Sequence, residues 1–265
     1  MSKFLEVAIT AAREAGVVVR ADFSRPKQVK YKGEVDLVTE TDRRAEEIIV
    51  GHIRRHFPDH AIVAEEGSEG AALGATYCWY VDPVDGTTNF VHGYPCVGIS
   101  IGLLEDGKPI AAAVMNPIAG ELFSAAKGEG AFLNGQPIHV SPVEKLSESL
   151  VVTGFPTDQR KKSINMDFYW EFTLRSHGVR RDGSAALDLA SVAAGRLEGF
   201  WEFGLKSWDT AAGILLVTEA GGAVSDFANQ PFKPGGVELL ATNGLVHEEM
   251  RQMGEMVMSR HAGTA

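Results

Sequence analysis

The stretch VDPVDGTTNF, residues 81–90, places two aspartates three positions apart at the end of an apolar run. The residues before Asp82 predict a buried strand, and Pro83 cannot extend a hydrogen-bonded ladder, so we expect the strand to stop at Asp82. Two carboxylates this close repel each other unless a proton or a cation lies between them. Either a hard divalent cation binds here, or the aspartates cap backbone amides in an ordinary acidic turn.

The composition is that of an ordinary globular protein. The 265 residues are 45% hydrophobic and 23% charged, enough for one large domain or two intimately packed halves. The formal net charge of -10 argues against a nucleic-acid binder, because a phosphate backbone requires a basic surface. No apolar run reaches the ~18 residues of a membrane span. The two cysteines form neither a disulfide framework nor a zinc pattern, which favours a reducing, cytoplasmic location.

Hydrophobic periodicity predicts the elements of the first half of the chain. Residues 3–23 and 39–57 predict amphipathic helices, and the charges at Glu6, Arg13 and Glu14 are not those of a signal peptide. Strands are predicted at residues 61–64, 78–81, 97–104, 108–116 and 121–126. The segment Glu105-Asp106-Gly107 predicts a hairpin turn within this meander, so we expect an antiparallel sheet.

From about Leu150, strands alternate with helices. Short strands are predicted at residues 150–153, 179–180 and 197–203, and helices at residues 158–176, 184–194, 208–220 and 247–260. Together the two halves predict an α+β protein with alternating layers of helices and sheets. We expect one unit over residues 1–265, with only a soft subdivision between residues 1–145 and 146–265.

Acidic residues recur at the predicted ends of elements: Asp42, Glu65, Glu66, Asp82, Asp85 and Asp209. Each one alone is well explained as a solvated acid or a helix cap. The segments VDLVTETD, VAEEG, DPVDGTTNFVHGYP and WDTAAGILLVTEAGG, taken together, resemble the signature set of the inositol monophosphatase family, within the magnesium-dependent, lithium-sensitive phosphatase superfamily. The resemblance covers nearly the whole chain. It implies alternating layers of α-helix and β-sheet and a magnesium-dependent phosphatase.

The resemblance also implies roles for individual residues. Two to three Mg²⁺ ions would be bound by Glu65, Asp82, Asp85 and Asp209, helped by the carbonyl of Val84 and the hydroxyl of Thr87. Independently, Mg²⁺ takes oxygen ligands and keeps several waters, which suits carboxylates from separate elements. A water molecule oriented by Glu65 and by a Thr87/Asp42 pair would then attack phosphorus in line.

A polyol phosphate is the substrate that the resemblance favours. Glu202 matches a glutamate that accepts hydrogen bonds from inositol hydroxyls; the alternative is an exposed strand residue. Gly86 would permit close approach of the substrate, and Gly86, Thr87 and Thr88 would begin a short helix whose N–H groups hold phosphate oxygens. The other predicted substrate contacts are Asp85, Asp209, Gly183, Ser184 and Ala185. Ser184 is explained at least as well as a helix N-cap.

Other substrates remain open at this point. Members of the superfamily hydrolyse fructose 1,6-bisphosphate, histidinol phosphate or adenosine 3′,5′-bisphosphate with similar metal ligands, whereas Thr88-Asn89 favours the inositol branch. Arg180 and Arg181 could bind a second phosphate or a dimer partner, or lie on a solvated edge.

Three further expectations concern other residues and partners. Lys30 and Lys32 precede Asp36 where relatives often carry a lysine on a mobile, metal-linked loop. His92 is expected behind the site or on the surface. The resemblance also implies a homodimer, and the alternative from a different class is a regulatory interaction protein, because some bacterial relatives bind transcription machinery.

Overall fold

The structure, a computed structural model, describes residues 2–25, 29–31, 37–67, 74–155 and 163–262. Its helices are α1 (Lys3–Phe23), α2 (Glu40–His56), α3 (Thr87–His92), α4 (Asn165–Arg175), α5 (Ala185–Ala193), α6 (Ser207–Glu219) and α7 (His247–Ala262), with a 3₁₀ turn at Leu146–Glu148. The predicted helices agree with these bounds to within a few residues. The helix predicted at 158–176 begins at Asn165 in the described part of the chain, and residues 156–162 lie outside it.

Two large sheets carry most of the strands. The first consists of β3 (Ala61–Ala64), β4 (Tyr77–Asp85), β5 (Gly98–Glu105), β6 (Lys108–Asn116), β7 (Glu121–Ala126), β8 (Gly130–Leu133) and β9 (Gln136–Ile138), in chain order. The second has the order β11 (Gly178–Arg180), β10 (Leu150–Thr153), β12 (Gly199–Phe203), β14 (Glu238–Thr242), β13 (Ala223–Ser225). A small antiparallel pair joins β1 (Val29–Tyr31) to β2 (Leu37–Thr39).

The predicted meander is correct from β4 to β7 and wrong at its first strand. Strand β3 pairs with β4 in parallel. The segment between them, residues 65–76, is long enough for the connection that a parallel pair requires. The hairpin turn between β5 and β6 is confirmed. Asp106 and Gly107 both have positive φ angles, 48° and 75°, as a two-residue hairpin turn requires.

The prediction that the strand stops at Asp82 is wrong. β4 continues to Asp85, with Asp82 opposite Ser100 and Asp85 opposite Gly98, so β4 carries one extra residue over this interval. Pro83 lies inside this bulge, where a missing N–H does not interrupt a regular ladder. The bulge therefore allows both aspartates to remain at the end of one strand.

The predicted alternation of helix and sheet layers is confirmed. Helices α1 and α2 cover one face of the first sheet, with Ile49 and Ile101 in their shared core. Helices α5 and α6 fill the space between the sheets, where Leu216 is buried. Helices α4 and α7 cover the outer face of the second sheet, where Phe172 stacks on Trp201. The two sheets fall on either side of the predicted subdivision but share the central helices, so the number of domains stays a prediction.

Helix α6 lies in direct contact with β5, which fixes the position of its first turn. A Cβ added to Gly102 would lie 2.8 Å from backbone atoms of Ala211 and Ala212, so only glycine permits this approach. The Ser100 hydroxyl also donates to the Trp208 carbonyl at 3.1 Å. Because Ser100 is opposite Asp82, these contacts bring the start of α6 to the end of β4.

Across the described ranges, every helix is too short or too polar to cross a membrane.

Candidate active site

The residues predicted to form the site come together around one open cleft of about 220 Å³. The wall is formed by the ends of β3, β4 and β12 and the starts of α3, α5 and α6. The predicted residues that line it are Glu65, Asp82, Val84, Asp85, Gly86, Thr87, Thr88, Gly183, Ser184, Ala185, Glu202 and Asp209. Asp42 lies behind this wall and contacts it through Thr87.

The two aspartates of β4 are held in different ways. Asp82 is 2% exposed, and its Oδ1 accepts a hydrogen bond from the Val84 N–H at 3.0 Å, across the bulge. Asp85 Oδ2 accepts from the Ser184 hydroxyl at 2.6 Å and from the Ala186 N–H at 2.7 Å, at the start of α5. Ser184 is also the N-cap of α5, so the N-cap alternative is confirmed, and its contact with a substrate stays a prediction.

Asp209 approaches the same cleft from the first turn of α6. Its Oδ2 accepts from the Lys206 N–H at 2.7 Å, which caps the helix. Burial raises its pKa, and so does the negative charge of Asp85. Burial likewise raises the pKa of Asp82, followed by the charges of Glu65 and Asp85. These carboxylates therefore destabilise one another when ionised, and bound cations would relieve that repulsion.

The donor set suits magnesium. Every group predicted to bind an ion offers an oxygen, and the four acids come from three places in the fold: the turn after β3, the end of β4 and the first turn of α6. Within the described ranges, no three His, Cys, Asp or Glu side chains form a compact, ready-made metal cluster. Ions shared by these acids would need water and the Val84 carbonyl to complete their coordination, which Mg²⁺ favours and a structural zinc ion does not.

Asp42 and Thr87 form the contact that the resemblance implied. The Thr87 hydroxyl lies 3.1 Å from Asp42 Oδ1 and 3.0 Å from the Val84 carbonyl oxygen, and it can donate to one of them at a time. Asp42 is fully buried at the start of α2, where it also accepts from the Thr39 N–H at 3.0 Å. Burial raises the pKa of Asp42 to about 6.

Glu202 is the acid that β12 contributes to the cleft. It is 8% exposed and is therefore not the exposed strand residue that the sequence left as an alternative. Its carboxylate makes no hydrogen bond with any described residue, although it lines the cleft. Burial raises its pKa, as do the charges of Asp209 and Asp85. Because the carboxylate lines the open cleft and accepts no hydrogen bond from the described residues, a ligand in the cleft could supply the donors.

Six further residues line the cleft that the sequence did not place there: Leu37, Asn89, Gly154, Phe155, Arg181 and Leu205. Asn89 Nδ2 donates to the carbonyls of Cys96 and Asp182 at 2.8 Å each, which ties α3 to the loop before α5. The sequence left open whether Arg180 and Arg181 bind a second phosphate, bind a dimer partner or lie on a solvated edge. In the structure Arg181 is at the cleft, whereas Arg180 is exposed on β11.

Other sequence predictions fall away from the cleft. His92 is exposed at the end of α3, in agreement with a surface position. The side chains of Lys30, Lys32 and Asp36 lie outside the described residues.

Comparison with known proteins identifies the family. The protein-family sequence model described as "Inositol monophosphatase family" matches residues 1–259 of the chain. The chain belongs to the inositol monophosphatase family. This family consists of magnesium-dependent phosphatases, so the enzyme class expected from the sequence is confirmed.

Individual family members are similar over most of their length. The chain is 47% identical over 256 residues to an "Inositol-1-monophosphatase" from Synechocystis sp., an alignment that covers 95% of this chain and 88% of the relative. It is 46% identical to "Nus factor SuhB" from Pseudomonas aeruginosa, with 86% of each chain covered. The solved structure of an inositol monophosphatase from Anabaena (Nostoc) sp. PCC 7120 is 41% identical, with a TM-score of 0.87 over 96% of this chain and 95% of that one.

Proposed function

We propose that this member of the family hydrolyses inositol monophosphate, or a similar polyol phosphate, to the free polyol and phosphate with two to three Mg²⁺ ions. The observation that carries the proposal is the position of Glu202. This buried carboxylate has no hydrogen-bond partner among the described residues, and it lines the same cleft as Asp82, Asp85 and Asp209. The cleft thus has one end suited to cations and phosphate and another suited to hydroxyl groups.

At the first end, Glu65, Asp82, Asp85 and Asp209 would hold the ions together with the oxygens of Val84 and Thr87. When bound, magnesium supplies positive charge to the phosphate group and lowers the pKa of the attacking water. The empty cleft should repel a phosphate dianion, because its acids carry charge of the same sign.

The Asp42–Thr87 contact would orient the attacking water. When Asp42 is ionised it accepts a hydrogen bond from the Thr87 hydroxyl, so a lone pair of the Thr87 oxygen is free to accept a hydrogen bond from the water in the cleft. Glu65 lies in the same wall and can accept a hydrogen bond from the other O–H of the water. Two acceptors on fixed elements would hold the water oxygen toward phosphorus.

At the second end, Glu202 would accept hydrogen bonds from substrate hydroxyls. The backbone around Gly183, Ser184 and Ala185 forms the adjoining wall, with Ser184 held by its bond to Asp85. A site built to accept hydroxyl protons discriminates strongly against substrates that lack them.

A panel of substrates tests this proposal. We expect phosphate release to be fastest from inositol 1-phosphate, slower from fructose 1,6-bisphosphate, histidinol phosphate and adenosine 3′,5′-bisphosphate, and absent in EDTA. Glu202→Gln should raise the KM for inositol 1-phosphate by about tenfold, because an amide NH2 group replaces one acceptor oxygen. The matched control Glu144→Gln changes an exposed acid that does not line the cleft. Predominant turnover of fructose 1,6-bisphosphate would contradict the proposed substrate.

We also infer a homodimer and a cytoplasmic location. Three large apolar side chains, Met166, Trp170 and Leu174, are spaced four apart on α4 and are 57%, 62% and 61% exposed. Such an apolar stripe on one helix face is typical of a protein interface. Cys78 and Cys96 are both free, which agrees with a reducing compartment.

A second, regulatory role is a separate proposal, favoured by the similarity to a relative named as a Nus factor. Specific co-purification of RNA polymerase subunits with the tagged chain would support it. If no polymerase subunits co-purify and phosphate release is normal, the regulatory proposal is contradicted and catalysis remains the proposed function.

A further inference from the structure

The end of β10 lies directly beside the residue proposed to recognise the polyol. Strands β10 and β12 run parallel with Thr153 opposite Trp201, so the residues that follow, Gly154 and Glu202, are neighbours. A Cβ added to Gly154 would overlap both carboxylate oxygens and the Cδ of Glu202. The Glu202 carboxylate therefore occupies the space that any other side chain at position 154 would take.

A buried hydrogen-bond network fixes the backbone at this point. Asn165, the first residue of α4, is fully buried, and its Nδ2 donates to the Gly154 carbonyl at 2.5 Å and to the Thr153 hydroxyl at 2.9 Å. Its Oδ1 accepts from the Trp201 indole at 2.5 Å. The Thr153 hydroxyl in turn donates to the Trp201 carbonyl at 2.6 Å. One amide thus joins the ends of two strands and the start of a helix.

We propose that Asn165 is a positioning residue, and Gly154 a specificity-determining residue, for recognition of the substrate hydroxyls by Glu202. The inference rests on the proposed function of Glu202. Asn165 holds the Gly154 backbone in place, and the missing side chain at Gly154 gives the Glu202 carboxylate its position at the cleft wall. Both residues act through Glu202 and contribute no ligand to the ions.

Gly154→Ala is the sharpest perturbation of this arrangement. The new methyl group meets the far end of a flexible side chain, so Glu202 should rotate away while the strand stays in place. The KM for inositol 1-phosphate should rise about tenfold or more. The Ki for inorganic phosphate as a competitive inhibitor should change less than about twofold, because phosphate binds at the other end of the cleft. Gly51→Ala on α2, with nothing within 4 Å of the added Cβ, is the matched control.

Asn165→Asp tests the network without changing its shape. The substitution keeps an acceptor for Trp201 and places a second acceptor against the Gly154 carbonyl, so the backbone should shift and the KM should rise with the Ki unchanged. Asn243→Asp is the control, since Asn243 is also buried and donates to two backbone carbonyls, those of Ser141 and Val143. Both variants should lower the urea midpoint, and Asn165→Asp alone should alter the ratio of KM to Ki.

A double-mutant cycle separates action through Glu202 from a general structural effect. Gly154→Ala should add little to the KM of a Glu202→Gln enzyme, because the contact it disturbs is already lost. Full additivity, or an unchanged KM in Gly154→Ala while the wild type turns over inositol 1-phosphate, would overturn the positioning role alone. A wild-type enzyme that does not hydrolyse inositol 1-phosphate would instead contradict the proposed function.

Discussion

Asp42→Asn should make the metal-free protein more stable at neutral pH and the enzyme less active. Asp42 is fully buried, and burial raises its pKa from the ordinary value of 3.8 to about 6. The folded protein therefore binds this proton more tightly than the unfolded chain does. Stability is lost as the pH rises from 3.8 through about 6, because the buried group must ionise.

The size of the effect follows from the two pKa values. A difference of about two units costs the wild type about 3 kcal/mol once the group is fully ionised. Between about pH 5 and about pH 7.5, the wild type should lose about 1.4 kcal/mol that the Asn variant does not lose. The variant can still accept a hydrogen bond from Thr39 N, so the cap of α2 is kept.

Urea unfolding in EDTA at several pH values measures this difference. The free energies of unfolding of the two proteins should diverge as the pH rises, with the variant the more stable. Phosphate release with Mg²⁺ should fall by about tenfold or more: the one amide oxygen of Asn accepts from Thr39 N, so its NH2 group faces Thr87 and cannot accept a hydrogen bond from that hydroxyl. If the free energies of unfolding of the two proteins change in the same way over this pH range, the conclusion that burial raises the pKa of Asp42 is refuted.

Three further predictions test the site, the core and the assembly. Asp209→Asn should lower phosphate release on the order of 10²-fold. The circular dichroism spectrum should be unchanged, since the Asn side chain can still accept a hydrogen bond from the Lys206 N–H. A near-normal rate would remove Asp209 from the ion-binding set. Gly102→Ala should lower the free energy of unfolding in urea by about 1–3 kcal/mol, because its Cβ would meet the backbone of α6; an unchanged midpoint contradicts that close approach. Trp170→Glu should convert a dimer to a monomer in sedimentation, and a wild type that sediments as a monomer would end the dimer proposal.

Local patterns predicted the features that depend on neighbouring residues. The Asp106-Gly107 turn needs two positive φ angles, which those residue types favour, and the hairpin is present. The N-cap at Ser184 likewise follows from a side chain that bonds to the first turn of its own helix. Because acids and glycines at element ends leave a clear signal, most of the cleft could also be located from the family resemblance.

Features set by pairing between distant segments were missed. The strand Glu238–Thr242 is buried along almost its whole length between β12 and β13, so its sequence has no alternation to mark it. The parallel pairing of β3 and the bulge after Asp82 depend on how the chain crosses and on the partner strand. The contact of Gly154 with Glu202 arises from the β10–β12 register, which no local pattern contains.

The most direct test of the account is Mg²⁺-dependent hydrolysis of inositol 1-phosphate, measured together with Mg²⁺ binding by calorimetry. The wild type should release no phosphate in EDTA, and its activity should rise with occupancy by the ions. Asp82→Asn and Asp209→Asn should each weaken binding and lower activity together, because both acids face one cleft. Full activity in EDTA, or unchanged Mg²⁺ binding in both variants, would contradict the claim that these distant acids form one ion-dependent site.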